Sequence, residues 1–247
     1  MNAIKSIPWL SYLALAAAMA IVGAYVGFSK ALVFVFPIFV LAWLRFAIAA
    51  VPMTLWLRRP AGEAPLDRQT HRLLFLESFF GNFLFSICML FGIARSTALA
   101  AGVIMAAIPA AVALLSWLIL GERVRLRVAA GIACAIAGIA LVALARDSEG
   151  ELASGSLAGS LLLFGAMTCE ALYVVIGKKL AARVGPKRIS ALINLWGLVL
   201  VTPFALWQLR EFSPGVIPTS SWVLLVIYSI AASVITVWLW MTGLKHV

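Results

Sequence analysis

The sequence predicts an all-α integral membrane protein, an inverted repeat of five-helix units with eight transmembrane helices present of an expected ten. Composition is the first ground: of 247 residues 64% are hydrophobic and 11% charged, with a mean hydropathy of +1.10. A soluble domain must cover itself with charge, and this chain has too little. The second ground is a series of eight apolar runs, each near the roughly 20 residues a helix needs to cross a hydrocarbon core about 30 Å thick. The third is a set of residues that recur at a fixed offset between the two parts of the chain. Loops this short exclude separate soluble catalytic, nucleotide-binding or DNA-binding domains, so no nucleic-acid partner is expected.

The first run, 9 to 29, follows the single Lys5. It exceeds a signal-peptide core and leads almost directly into the second, 32 to 57, so it is read as a helix of the mature protein. The second carries Arg45 and ends at Arg58 and Arg59. The third, 73 to 94, places Ser78, Asn82, Phe85 and Met89 on one helix face. The fourth, 97 to 120, has Pro109 in its middle, and the fifth, 126 to 145, has a small-residue face of Gly131, Ala135 and Gly138 that suits a closely packed helix. The sixth, 156 to 177, holds Glu170 and Tyr173. The seventh and eighth run from 189 to 209 and from 221 to 243, the last with Ser229, Ser233, Thr236 and Trp240 on one face.

Lysine and arginine orient the chain, because they are retained on the cytoplasmic side. With the N-terminus inside, fourteen of them fall on the inner face and four, Lys30, Arg95, Arg146 and Arg210, on the outer face. The formal charge of +10 is thus a property of basic loops at a membrane surface. The expected location is the cell (inner) membrane, multi-pass, with a cytoplasmic N-terminus. Cys88, Cys134 and Cys169 sit in apolar runs without metal-ligand or disulfide spacing, and His71 and His246 lie in basic loop ends. No cofactor or metal site is expected.

Sliding the sixth run under the first superposes Ala18, Met19, Tyr25, Val26 and Lys30 on Ala166, Met167, Tyr173, Val174 and Lys178, at an offset of 148. Further along, Pro52, Trp56 and Gly92 fall on Pro203, Trp207 and Gly243, at an offset of 151. Five spans separate each element from its copy, and an odd number reverses the direction of crossing, as in many secondary transporters. The repeats are read as residues 1–147 and 148–247, the second incomplete. The counterpart of Thr97 to Ala145 is missing, so the chain is expected to be a fragment of a ten-helix protein, native loss of the pair being the alternative.

Thr97-Ala98, the mid-helix Pro109, Leu120-Gly121-Glu122-Arg123 and the helix with Gly131 and Gly138 resemble the drug/metabolite transporter superfamily, specifically its EamA-like ten-helix members. Leu44-Arg45-Phe46 is similar to that family's second-helix arginine. The resemblance implies a small-solute exporter or importer with both termini cytoplasmic. Ala166-Met167-Thr168-Cys169-Glu170, with Lys178 eight positions on, is also similar to the first helix of the small multidrug resistance family, whose membrane carboxylate exchanges protons for cationic substrates.

Glu170 is the sharpest site candidate, since an ionisable group deep in the bilayer is costly and usually functional. Its structural alternative is a hydrogen-bonded carboxyl between helices. Tyr173 lies one turn away, and Tyr25 is its repeat mate. The faces Ser78-Asn82-Phe85-Met89 and Ser229-Ser233-Thr236-Trp240 stand 151 residues apart and are expected to line one pathway, with hydrogen bonding between helices as the alternative. Arg45 is read as structural, snorkelling toward the outer interface, Glu77 as reaching the inner headgroups, and Glu122 as a helix cap. The expected function is secondary active export of small organic metabolites such as amino acids or drugs by alternating access, with Glu170 as candidate proton site. A channel or lipid scramblase is the nearer alternative. A membrane-embedded enzyme is the remoter one, because the sequence carries no metalloprotease, nucleophile-elbow or phosphate-loop motif. The partners expected are the bilayer, a small solute and protons.

Overall fold

The computed structural model describes residues 8–60, 63, 65–121, 126–146 and 156–244, and all regular structure among them is helical. Helix α1 spans Pro8–Val33. Helix α2 spans Ile38–Met53 and tightens into a 3-10 turn, Thr54–Leu57, directly after Pro52. The next span is α3, Arg68–Ser78, then a π-helical segment, Phe79–Leu84, then α4, Phe85–Ala94. Helices α5, Ala98–Met105, and α6, Ile108–Leu120, follow, then α7, Leu126–Arg146. The remainder is α8, Leu157–Ala181, α9, Pro186–Gln208, and a last span made of α10, Thr219–Ser229, a second π segment, Ile230–Ile235, and α11, Thr236–Leu244.

Among the described residues seven helical segments are long and apolar enough to cross a membrane, and α7 adds a shorter apolar stretch, Leu126–Gly138. The chain is an all-α integral membrane protein. The fourth run forms one apolar span, Ala98–Ile119, which breaks beside Pro109: that residue has no N–H to continue the ladder, and a turn at Ala106 and Ala107 divides the span into α5 and α6. Among the described residues nothing packs closely on the small-residue face of α7 at Gly131 or Gly138, where an added Cβ would meet nothing within 4 Å. Glu122, Arg123, Lys5 and His246 lie outside the described residues.

Sequence chemistry accounts for the helix ends. Asp67 accepts from the Thr70 N–H at 2.7 Å as the α3 cap, and its bond with Thr70 holds its carboxyl below the usual carboxylate range. The Thr97 and Ser156 hydroxyls cap α5 and α8. Helix α2 starts after Pro37 with no cap of its own, and Gln208 Oε1 at the end of α9 accepts from Phe39 N–H at 2.8 Å. Gly121 closes α6 in the left-handed conformation, φ 69°.

The spans pair as α2 with α9, α1 with α11, and α4 with α8. Glycines set the closeness of the last two pairs. A Cβ on Gly92 would lie 2.9 Å from Leu163 of α8, and one on Gly243 would lie 2.6 Å from Leu15 of α1. These are mirror contacts, since Gly243 is 151 residues after Gly92 and Leu163 is 148 after Leu15. Apolar side chains are left outside the bundle, such as Leu161 at 63% and Val199 at 59% exposed, as a membrane-spanning bundle requires.

Candidate functional site

A cavity lies where α1, α2, α8 and the two π-containing spans converge. Its wall is Met19, Val22 and Tyr25 of α1, Arg45 of α2, Gly81, Asn82 and Phe85 of the third span, Glu170 and Tyr173 of α8, and Ala232, Thr236, Val237 and Trp240 of the last span. Its volume is about 70 Å³ counted at the centres of water molecules. One water needs roughly 10–15 Å³ on that scale, so there is room for several or for the polar end of a solute.

The wall is assembled from local backbone irregularity. Each of the two lining spans opens into a π turn, 79–84 and 230–235, again 151 residues apart. A π turn rotates the residues after it and frees ladder groups, and such turns are frequent at functional sites. The Thr236 hydroxyl donates to Ala231 O at 2.9 Å, five residues back, in one of them. In the other, the Ser86 hydroxyl donates to Asn82 O and accepts from Arg45 Nη2 at 2.6 Å. Gly81 is required there, because a Cβ would stand 2.2 Å from Tyr173 Cδ2.

Arg45 corrects the sequence expectation. It is 6% exposed, midway along α2, with its guanidinium 4.3 Å from the Phe46 ring centroid and 5.8 Å from that of Tyr25. It does not reach the outer interface; a cation at this depth is held by Ser86 and two ring faces. Glu77 is the second correction. It is fully buried, touches the position a Gly177 Cβ would occupy at 2.8 Å, and neither carboxylate oxygen has a hydrogen-bond partner among the described residues. It is not in the headgroups, because the face of α3 that carries it packs on α8.

Glu170, the fourteenth residue of the 25 in α8, is half-buried on the cavity wall, and no side chain among the described residues hydrogen-bonds its carboxylate. Tyr173 OH and Trp240 Nε1 are buried without partners among the described residues, leaving polar atoms around the cavity for water or solute to satisfy. Of the residues expected from sequence, the structure brings Glu170, Tyr173, Tyr25, Asn82, Phe85, Thr236 and Trp240 together. Ser78, Met89, Ser229 and Ser233 stand outside that wall. Ser78 donates to Ile193 O at 2.6 Å and Ser229 to Leu225 O at 2.6 Å, while Met89 is wholly buried in the apolar core. Ser233 is 4% exposed. Asn82 does both jobs: its amide also donates to Ile193 O at 2.8 Å.

Residues 9–144 and 157–247 match the EamA-like transporter family. The chain belongs to that family. It is 31% identical over 238 residues to the uncharacterized transporter YetK of Bacillus subtilis (strain 168), covering 96% of this chain and 72% of that one. A solved structure described only as a crystal structure of a protein superposes with a TM-score of 0.70 at 20% identity, over 96% of this chain and 79% of that one, which shows the shared fold. This EamA-like protein is thus a multi-pass membrane transporter, and its cavity lies among the helices of both matched stretches.

Proposed function

We propose that the protein is a secondary active exporter of small organic solutes carrying both a carboxylate and an ammonium group, amino-acid-like molecules foremost, exchanged for protons at Glu170. The observation that carries this reading is the pairing of Arg45 and Glu170 on one aromatic-lined cavity wall at mid-span. The guanidinium suits a solute carboxylate, and the free Glu170 carboxylate suits its ammonium. Phe85, Tyr25 and Trp240 offer apolar and ring-face contact to the rest of the solute.

Alternating access needs two bundles that rock about a shared site. Repeat mates on the wall support it: Val22 with Glu170, Tyr25 with Tyr173, Gly81 with Ala232, and Phe85 with Thr236. The mirror contacts of Gly92 and Gly243 and the paired π turns support the same relation. One carboxylate then gives coupling, because ammonium and proton compete for it. A proton arriving from the outer side displaces the solute, and release of that proton inside restores the solute site. Differential affinity in the two states is what drives such exchange. The carrier is read as lying in the cell membrane with its N-terminus inside, on the strength of the basic-loop asymmetry.

The test is transport in proteoliposomes. Glu170→Gln keeps size and polarity but cannot cycle a proton, so it loses accumulation driven by a pH gradient while keeping its fold. Wild-type pH-driven accumulation by the variant would remove Glu170 from coupling. Saturable counterflow of a labelled amino acid by the native chain supports a carrier over a channel, and solute-independent lipid translocation would instead favour a scramblase.

A further inference from the structure

We propose a second binding site, for the phosphate-bearing headgroup of an anionic phospholipid, where the basic segment after α2 and the basic start of α9 meet α11. A cavity of about 470 Å³, counted as above, opens there between Trp56, Arg58, Lys187, Arg188, Trp238 and Thr242. None of these lines the transport cavity. The site lies at interfacial depth. Trp56 is in the last turn after α2, and Lys187 and Arg188 are in the first turn of α9, where apolar spans give way to basic loops.

Charge and aromatic geometry select the ligand. The Lys187 ammonium is 5.9 Å from the Trp56 ring centroid and 6.0 Å from that of Trp238, the rings themselves being 6.4 Å apart. No carboxylate among the described residues pairs with Lys187 or Arg58. Arg188 pairs with Glu63, whose other oxygen accepts from Gly185 N–H at 3.3 Å, and Arg188 Nε has no partner among the described residues. Three cations against one carboxylate leave the cavity net positive, which matches one or two phosphate charges. Basic pockets between spans at a cytoplasmic face are suited to anionic headgroups, and tryptophans belong at headgroup level. Leu55, 69% exposed, and Trp238, 36% exposed, continue the cavity as apolar surface on the bilayer side, where acyl chains would lie. A free phosphate would use the cations and leave that surface unused.

The test measures lipid retention by the purified full chain in detergent, by native mass spectrometry, with phosphatidylglycerol, phosphatidylcholine and inorganic phosphate as separate arms. The native chain should retain phosphatidylglycerol over phosphatidylcholine. Each basic side chain near a membrane contributes about fivefold to anionic-lipid affinity, so Arg58→Ala with Lys187→Ala should weaken phosphatidylglycerol binding about 25-fold and leave phosphatidylcholine unchanged. Lys179→Ala, an exposed basic residue at the end of α8 outside the cavity, should change it less than twofold. Should the double variant fail to elute as the native chain does, Lys187→Ala alone carries the comparison, with a fivefold expectation. Equal retention of the two lipids, or an effect of Lys179→Ala as large as that of Lys187→Ala, would overturn the site. Displacement of phosphatidylglycerol by millimolar inorganic phosphate would overturn its assignment to lipid.

Discussion

Gly81→Ala tests whether the π turn and Tyr173 together shape the transport cavity. The added Cβ would lie 2.2 Å from Tyr173 Cδ2, 2.7 Å from Cγ and 3.0 Å from Cβ. Carbon atoms rest about 3.5–4.0 Å apart, so the ring must retreat by about 1.3 Å. Because the overlap reaches Tyr173 Cβ, turning the ring about its own axis cannot relieve it, and the side chain or α8 itself must move. Overpacking of this kind costs about 1–3 kcal/mol, offset by about 1 kcal/mol of helix preference for Ala over Gly, leaving a net loss of about 0–2 kcal/mol. Transport should suffer more. A displacement near 1 Å of a positioned group costs up to about 100-fold, and Tyr173 is one turn from Glu170. The assay combines proteoliposome uptake with a melting curve in detergent, on Gly81→Ala alone and in a Tyr173→Ala background. In that background the Gly81 substitution should become neutral or stabilising. Unchanged uptake by Gly81→Ala, or an equal stability loss in both backgrounds, would refute the packing argument.

Glu77→Gln should leave stability unchanged or raise it, as read from the melting curve, since neither oxygen of this buried carboxyl has a partner to lose among the described residues; a stability loss above about 1 kcal/mol would refute that reading. In a background with Cys88, Cys134 and Cys169 replaced by Ser, single cysteines at Tyr25, Phe85 and Thr236 should react with a small polar thiol reagent and those at Met89 and Ser229 should not. Equal labelling at all five would dissolve the cavity as drawn.

Much of the architecture was legible because bilayer physics writes itself into sequence. Apolar runs of the right length indicate the all-α membrane class and require no knowledge of which helix touches which, while the basic-loop asymmetry and the offset of 148 to 151 residues stand in the chain as grounds for the orientation and repeat proposed above. The offset even anticipates that if Gly92 meets Leu163, Gly243 meets Leu15. The cavity was legible only in part. Helical periodicity placed Asn82, Phe85, Thr236 and Trp240 on the cavity wall, yet it also enrolled Ser78 and Ser229, which precede the π turns, and Ser233, which lies within one, because a regular helix assumes 3.6 residues per turn and a stripe drawn straight across a π turn misses. Met89 shares the regular helix of Phe85 and misses for another reason, since one turn further along that face is packed into the apolar core.

Arg45 and Glu77 mark the boundary between the two kinds of knowledge. Sequence spacing measures depth along a helix but not the direction in which a side chain leaves it, so a cation at mid-span and a carboxyl near a basic loop both read as seeking water. Tertiary packing decided otherwise. Ser86, Tyr25 and Phe46 hold Arg45 on the cavity wall, and Gly177, by lacking a Cβ, lets α8 close over Glu77. Membrane class, span positions and charge asymmetry thus follow from the chain alone, since each depends on transfer between water and hydrocarbon. Which polar groups share one enclosed space follows only from how helices distant in sequence pack against one another.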